Sequence, residues 1–219
     1  MLVAIVGGHG QIARLLHPLV VAQGHTPVAL VRREDQRAVL EELGAEVRLL
    51  DIESAGVEDF EAAFDGCSAV VFAAGGGPDG NLERKRTVDL EGSLKSIEAA
   101  SRKGIRRFVQ VSAIDVDEPV AADAGEVWAA YVAAKRDSDR ALRESRLAWT
   151  ILRPGRLTDD PATGRVALGP DVPRGPVTRA DVAAVLAAVL DRPDTVGQQW
   201  NLVGGDVPVD EAVDAAARA

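Results

Sequence analysis

Short runs of Val, Ile, Leu and Ala alternate with stretches in which apolar residues recur every three or four positions. The runs at 2–6, 27–31, 46–50, 69–74, 107–112 and 148–152 are apolar on successive residues, which predicts strands buried on both faces, as in a parallel sheet. The segments between them, 11–23, 34–43, 57–64, 82–103 and 125–145, have the spacing of amphipathic helices. Gly24, Gly44, Gly66 and Gly104 fall where a helix should stop, because glycine adopts the left-handed C′ conformation at little cost. Strand and helix in strict alternation predict an α/β fold of the Rossmann type, a doubly wound parallel sheet with helices on both faces.

The rhythm changes after Arg153-Pro154. Residues 154–177 are dense in proline and glycine and predict an irregular segment on the substrate side, with a short hairpin around 164–169. A helix at 179–190, a strand at 198–203 and a last helix near 209–217 complete the chain. No repeat, low-complexity tract or long linker divides it, so residues 1–219 are expected to form one domain with a small C-terminal lobe.

The first strand runs into the first helix as Val3-Ala-Ile-Val-Gly-Gly-His-Gly-Gln-Ile-Ala13, with the spacing Gly7-x-x-Gly10-x-x-Ala13. Gly7 permits the tight turn, Gly10 lets a pyrophosphate approach the backbone, and Ala13 lets the helix pack closely on the sheet. The helix beginning at Gln11 and Ile12 aims its free N–H groups and positive dipole end at the phosphates. His9 either touches a phosphate or faces solvent. The acid that usually holds a ribose 2′-OH is expected about 20 residues on, at the end of the second strand. That position reads Val31-Arg32-Arg33 instead. Two guanidinium groups suit a 2′-phosphate, so NADP(H) is expected in preference to NAD(H). Asp51 and Ile52, ending the third strand, are placed to border the adenine. Ala73, Ala74 and Gly75 after the fourth strand leave room for a cofactor to lie on the backbone.

The chain has a single tyrosine. Tyr131 and Lys135 stand four apart in the helical stretch Trp128-Ala-Ala-Tyr-Val-Ala-Ala-Lys135, hence on one face. A neighbouring ammonium favours the phenolate, and a phenol so tuned can exchange a proton with a carbonyl or alcohol. The plainer alternative is a half-buried tyrosine beside a solvated lysine.

Together the glycine turn, Tyr131-x-x-x-Lys135, Leu147-Ala-Trp-Thr-Ile-Leu-Arg-Pro-Gly155 and Thr178-Arg-Ala-Asp-Val-Ala183 resemble the atypical short-chain dehydrogenase/reductase superfamily. The nearest branch is the small bacterial NAD(P)H-binding proteins often labelled NAD-dependent epimerase/dehydratase or NADH-flavin reductase. The resemblance implies a cofactor loop at Gly7, Gly10 and Ala13, an adenine-side acid at Asp51 and a catalytic pair at Tyr131 and Lys135. It also implies that Lys135 holds the nicotinamide ribose. A serine after the fifth strand is expected to position the substrate oxygen. That strand ends Val109-Gln-Val-Ser-Ala113, with Ala113 where members often carry the second, catalytic hydroxyl. Either Ser112 serves or no serine does.

Composition narrows the field. The balance of 25 basic against 34 acidic residues gives a net charge of −9, which argues against nucleic-acid and anionic-membrane partners. No apolar run reaches the roughly 18 residues of a membrane span, and Met1-Leu-Val-Ala-Ile-Val6 has no basic flank, so a cytoplasmic location is expected, with monomer and homodimer both open. With Cys67 alone, and no acidic or cysteine cluster near His17 or His25, no metal site is expected. Cys67 is expected in the core, Trp128 either in a pocket wall or in the core, Arg153 in ordering the turn at Pro154–Gly155, and Asp181 as a helix-start acid. Three functions fit: an NADP(H)-dependent oxidoreductase moving a hydride between nicotinamide and a small carbonyl or alcohol, a flavin or quinone reductase on the same fold, or a non-catalytic NADP(H)-binding redox sensor. Twenty-odd irregular residues are too few for the lobe that sugar-nucleotide epimerases use, which disfavours that activity.

Overall fold

The computed structural model describes residues 1–77, 80–121 and 123–219. Its centre is a sheet built from β1 (Leu2–Val6), β2 (Thr26–Val31), β3 (Glu46–Leu49), β4 (Ala69–Phe72), β5 (Arg107–Val111) and β6 (Ala148–Pro154). Beyond these lie β7 (Arg156–Thr158), β8 (Arg165–Gly169), β9 (Pro176–Thr178), β10 (Gln198–Gly204) and β11 (Val207–Pro208). Nine strands pair in the order β11-β8-β10-β6-β5-β4-β1-β2-β3, while β7 and β9 form a separate two-stranded sheet. The run β3-β2-β1-β4-β5-β6 is the doubly wound Rossmann order, which reverses between β1 and β4. Its strands are parallel throughout, and β10 extends them in parallel beside β6.

Helices cover both faces: α1 (Gln11–Ala22), α2 (Arg37–Glu42), α3 (Val57–Ala63), α4 (Leu82–Arg84), α5 (Gly92–Arg102), α6 (Glu126–Glu144), α7 (Arg179–Leu190) and α8 (Val209–Arg218). The predicted Rossmann-type fold is the observed one. Gly24, Gly44, Gly66 and Gly104 all have φ between +70° and +83° at the ends of their helices, as the turn chemistry requires. Alternation along β1 explains the two-sided core. Val3 and Ile5 pack with Leu16, Val20, Leu186 and Trp200 on one face, and Ala4 and Val6 pack with Phe60, Phe72 and Phe108 on the other. Cys67 joins the second cluster. Among the described residues no helix is long and apolar enough to cross a membrane.

Three expectations are corrected. The strands predicted at 69–74 and 107–112 end at Phe72 and Val111, because the chain leaves the sheet there to form loops over its carboxyl edge. The hairpin expected around 164–169 is absent. Gly164 turns the chain at φ +66°, and β8 then pairs antiparallel with the distant β10 and with β11. Residues 154–177 are thus partly regular, with partners too far along the chain for local composition to reveal. The helix predicted at 82–103 is α4 and α5 joined by a π-helical segment, Lys85–Glu91. Such wide turns gather at functional sites.

His17, on α1, is buried, and its Nε2 lies 2.7 Å from the Gly8 carbonyl oxygen, whereas Nδ1 has no partner. A single acceptor fits the neutral Nε2–H tautomer. Burial holds this imidazole below its ordinary value, against the opposing pull of the Gly8 carbonyl. The unfolded chain therefore takes up the proton first as pH falls. Stability from the neutral ring is complete above about pH 6.5 and declines below it toward the folded value. The urea midpoint of the wild type is expected to fall more steeply from pH 7 to 5.5 than that of His17→Gln; parallel slopes would refute the assignment.

Candidate active site

The sheet reversal opens a groove between the β1 and β4 carboxyl ends. Its larger part, about 1500 Å³, is lined by residues that include Gln11, Ile12, Ser112, Trp128, Tyr131 and Lys135. A smaller part, about 260 Å³, is lined by Gly7, Arg32, Asp51, Ile52, Glu53 and Arg84 among others. His9, Gly10, Ala73, Ala74 and Gly75 border both parts. The larger volume exceeds the roughly 300–1000 Å³ of an ordinary small-molecule pocket, enough for one end of a dinucleotide together with a second molecule.

Gly7 holds φ +80°, and a Cβ there would lie 2.7 Å from Ala74 Cα. The β1 turn and the β4 loop therefore touch backbone to backbone, with no room for a side chain between them. α1 begins at Gly10 with no side-chain cap and no acidic residue in its first turn. Its first N–H groups and dipole end are thus free to meet an anion. The surroundings are electropositive: His9 is held below its ordinary value by partial burial, then by Arg14 and Arg33. These features fit a dinucleotide pyrophosphate. Around the smaller part, Arg32 Nη1 and Arg84 Nε lie 3.8 and 3.6 Å from the same Glu53 oxygen, and Thr87 Oγ1 donates to the other at 3.0 Å. Arg33 does not line the groove and pairs with Asp35 at 3.2 Å. Arg84, beyond the reach of any local motif, lines the smaller part together with Arg32. Asp51 lines the smaller part and accepts the Glu53 N–H at 3.1 Å.

Tyr131, Lys135 and Asp139 project from α6 at four-residue intervals. Trp128 lies a turn earlier, half exposed in the cavity wall, with its ring 5.5 Å from that of Tyr131. Lys135 is buried. Its Nζ lies 3.3 Å from Asp89 Oδ1 and donates to the Val111 and Ala74 carbonyls at 3.3 and 3.5 Å. Asp89 comes from the π-helical segment, is fully buried, and accepts the Gly76 N–H at 2.8 Å. Lys85, from the same segment, donates to the Gly77 carbonyl and stands 5.7 Å from the Tyr131 ring centre, against 5.9 Å for Lys135. Sequence reasoning missed Asp89 and Lys85. They lie on a helix whose apolar spacing says only which face is inward.

Ser112 lines the cavity, yet its hydroxyl donates to Asp139 at 2.8 Å. Gln110 Nε2 donates to the other Asp139 oxygen at 2.7 Å, and Arg153 binds the carboxylate through Nε at 2.9 Å. Burial pushes the Asp139 carboxyl up, opposed chiefly by Arg153 and then by the Ser112 and Gln110 donors. Arg153 is occupied by Asp139 and, at 2.7 Å, by Asp117, so it braces α6 against β6 and the loop after β5 instead of ordering the turn at Pro154–Gly155. Asp181 is buried and accepts from the Thr163 and Gly164 N–H groups, closing the loop before β8.

A profile of NAD(P)H-binding proteins matches residues 7–193, and the chain belongs to that family. It is 39% identical over 214 residues to a Bacillus subtilis protein named uncharacterized sugar epimerase YhfK, covering 97% of this chain and 99% of the relative. A solved structure from Bacillus halodurans, provisionally named an NAD-dependent epimerase/dehydratase, is 36% identical with a TM-score of 0.90, over 98% of this chain and 99% of that one. ChuY of Escherichia coli O157:H7, described as an anaerobillin reductase, is 25% identical with a TM-score of 0.77, over 94% and 98% of the two chains. The resemblance read from the motifs is borne out at the level of family and fold.

The Gly7 contact yields a direct test. Gly7→Ala forces a left-handed φ costing about 1–2 kcal/mol, and a clash adds to it. A lower melting temperature and weakened NADPH binding by calorimetry are expected. If both stay at wild-type values, the close approach is not what fixes the turn.

Proposed function

We propose that this protein is an NADP(H)-dependent reductase that delivers a hydride to the carbonyl carbon of a small molecule, with Tyr131 as proton donor. The observation that carries the reading is the placement of Tyr131 and Lys135 in one cavity with a glycine turn and an uncapped helix start. When bound, reduced nicotinamide supplies a hydride to an electrophilic carbon beside it. The chain's own residues do the rest. The Gly7–Gly10 turn and the start of α1 bind pyrophosphate, and Arg32 with Arg84 meets the 2′-phosphate. Tyr131 holds the proton that the carbonyl oxygen accepts as it becomes an alcohol. Lys135 positions the nicotinamide ribose and opposes the cost of negative charge on the phenol. The wall formed by Gly155, Leu157 and Pro176 limits acceptor size. Since residues 154–177 form short strands and not a separate lobe, a small acceptor fits better than a nucleotide sugar.

One observation favours a second reading. The Ser112 hydroxyl is spent on Asp139 and position 113 is alanine, so no serine is left with a free proton to aim at a substrate oxygen. A flavin or quinone acceptor takes hydride without such a donor.

NADPH oxidation followed at the nicotinamide absorbance, with aldehydes, ketones, flavins and quinones, separates the readings. Carbonyl turnover is expected to fall by about 10²–10⁴-fold in Tyr131→Phe, the usual worth of a positioned acid. Flavin or quinone turnover that survives the substitution moves the assignment to the second reading. A protein that binds NADPH and passes its hydride to none of these acceptors favours the sensor. Arg32→Ala is expected to weaken NADPH binding by about 1–3 kcal/mol, the value of a lost charge-assisted hydrogen bond, and to spare NADH. Equal losses for both cofactors in the calorimeter would exclude a 2′-phosphate contact.

A further inference from the structure

Among the described residues Asp89 is the fully buried carboxylate that meets Lys135 directly, and nothing in the family resemblance assigns it a role. It sits in the π-helical segment, with Oδ1 3.3 Å from Lys135 Nζ and Oδ2 on the Gly76 N–H at 2.8 Å. The glycine run is shaped around it, since a Cβ on Gly75 or Gly76 would lie 3.2 or 3.0 Å from its oxygens. One side chain therefore ties the β4 loop to the lysine beside the tyrosine.

The charge arithmetic at Tyr131 follows from who faces it. From its own helix come Lys135 and Asp139, and from the π-helical segment come Lys85 and Asp89. Glu126, at the start of the same helix, and Arg156, Arg174 and Arg179, from other elements, line the same cavity, and His9 and Arg14 do so from the glycine turn and α1. A lone buried ammonium would draw the phenol toward phenolate. Here the ammonium is matched by a carboxylate at ion-pair distance inside the protein, where screening is weak.

We propose that Asp89 is a positioning residue that cancels the field of Lys135 at Tyr131, so that the tyrosine keeps its proton and the site is set to give a proton to substrate and not to take one. The other observations agree. Burial raises the Tyr131 phenol above its ordinary value, Lys135 pulls it down, and Asp89 followed by Asp139 pushes it up. Burial pulls the Lys135 ammonium down, and Asp89, then Tyr131 and Asp139, together hold it above its ordinary value. Alcohol oxidation at neutral pH needs phenolate as the base, and each unit of upward shift removes tenfold of it. Carbonyl reduction needs the phenol, which the arrangement preserves. The catalytic consequence rests on the reductase reading above; the charge relation between Asp89 and Tyr131 does not.

Tyr131 is the only tyrosine in the chain, so the phenolate absorbance near 295 nm titrates one group. The test is a spectrophotometric titration of the free protein, with circular dichroism followed alongside to confine the reading to folded chain. The wild-type transition is expected above the usual tyrosine value of about 10. In Asp89→Asn, which keeps an acceptor for the Gly76 N–H, it is expected to move down by at least about one unit. Lys135→Met is expected to move it up. If Asp89→Asn fails to fold because Lys135 is left unpaired, the double variant Asp89→Asn/Lys135→Met, which buries no unmatched charge, is compared with Lys135→Met. The same downward displacement on removing the carboxylate is expected. A transition that stays in place when Asp89 is removed overturns the proposal, because a purely structural carboxylate would leave the tyrosine spectrum where it was. That result would leave the reductase reading intact. Conversely, a protein inert with NADPH but with a transition that moves as stated would keep the Asp89 role and discard the reductase.

Discussion

Two cations and two anions are buried side by side where α6 meets the sheet, and the geometry of the site follows from their balance. Lys135 faces Asp89, and Arg153 faces Asp139. Moving one such ion out of water costs several kcal/mol even after relaxation, so each is tolerable only with its partner in place. Removing one member of a buried pair typically costs about 3–5 kcal/mol, since the survivor is left unmatched. The pairs therefore constrain the fold as well as the chemistry. Asp89 fixes the π-helical segment against the β4 loop, and Asp139 fixes α6 against β5 and β6 through Ser112, Gln110 and Arg153. Tyr131 sits on the one helix that both pairs hold.

That arrangement explains why Ser112 lines the cavity without offering its proton to it. Asp139 gathers donors from every side, and a hydroxyl placed among them must give its hydrogen to the carboxylate. Ser112 can still accept a hydrogen bond from a ligand, but the orientation of its proton is set by the framework. The loss of a second hydroxyl at Ala113 and this commitment at Ser112 act in the same direction. In the reduction proposed above, both shift the burden of proton delivery onto Tyr131, and direct hydride acceptance is the alternative that needs least from the protein.

The fold was legible because its signals are local. Apolar runs, helical spacing and a glycine at four of the helix stops place β1 through β6 and most of the helices within a residue or two. What local pattern could not reveal is pairing at a distance. β8 is a strand because β10 lies beside it, with about 30 residues between partners such as Leu168 and Leu202. The site divides in the same way. Tyr131 and Lys135 are visible because four residues on a helix make one face, and the Gly7 turn because a strand, a glycine and a helix adjoin. Asp89 and Lys85 come from another helix, and their approach depends on the wide turn at Lys85–Glu91, which no apolar periodicity announces. Arg84 likewise comes from another element and meets Arg32 at the Glu53 carboxylate.

The wide turn at Lys85–Glu91 reconciles two demands on one helix. The face of α5 must pack on β4 and against α3, and Gly92 achieves this by leaving room for Ile52 where a Cβ would approach within 2.5 Å of its methyl carbon. The residues just before it must turn polar groups toward the glycine run and α6. A regular α-helix repeats its face every 3.6 residues and would have to carry one stripe for both purposes. The π-helical segment shifts the register between them. Lys85, Thr87, Val88 and Asp89 are all buried there, a density of inward side chains that a single amphipathic stripe does not provide. Apolar residues then continue the core along α5, while Lys85 and Asp89 meet Tyr131 and Lys135 at the cavity. The local departure from regular helix is thus what allows a packing element to contribute charge to the site without breaking the sheet cover it also supplies.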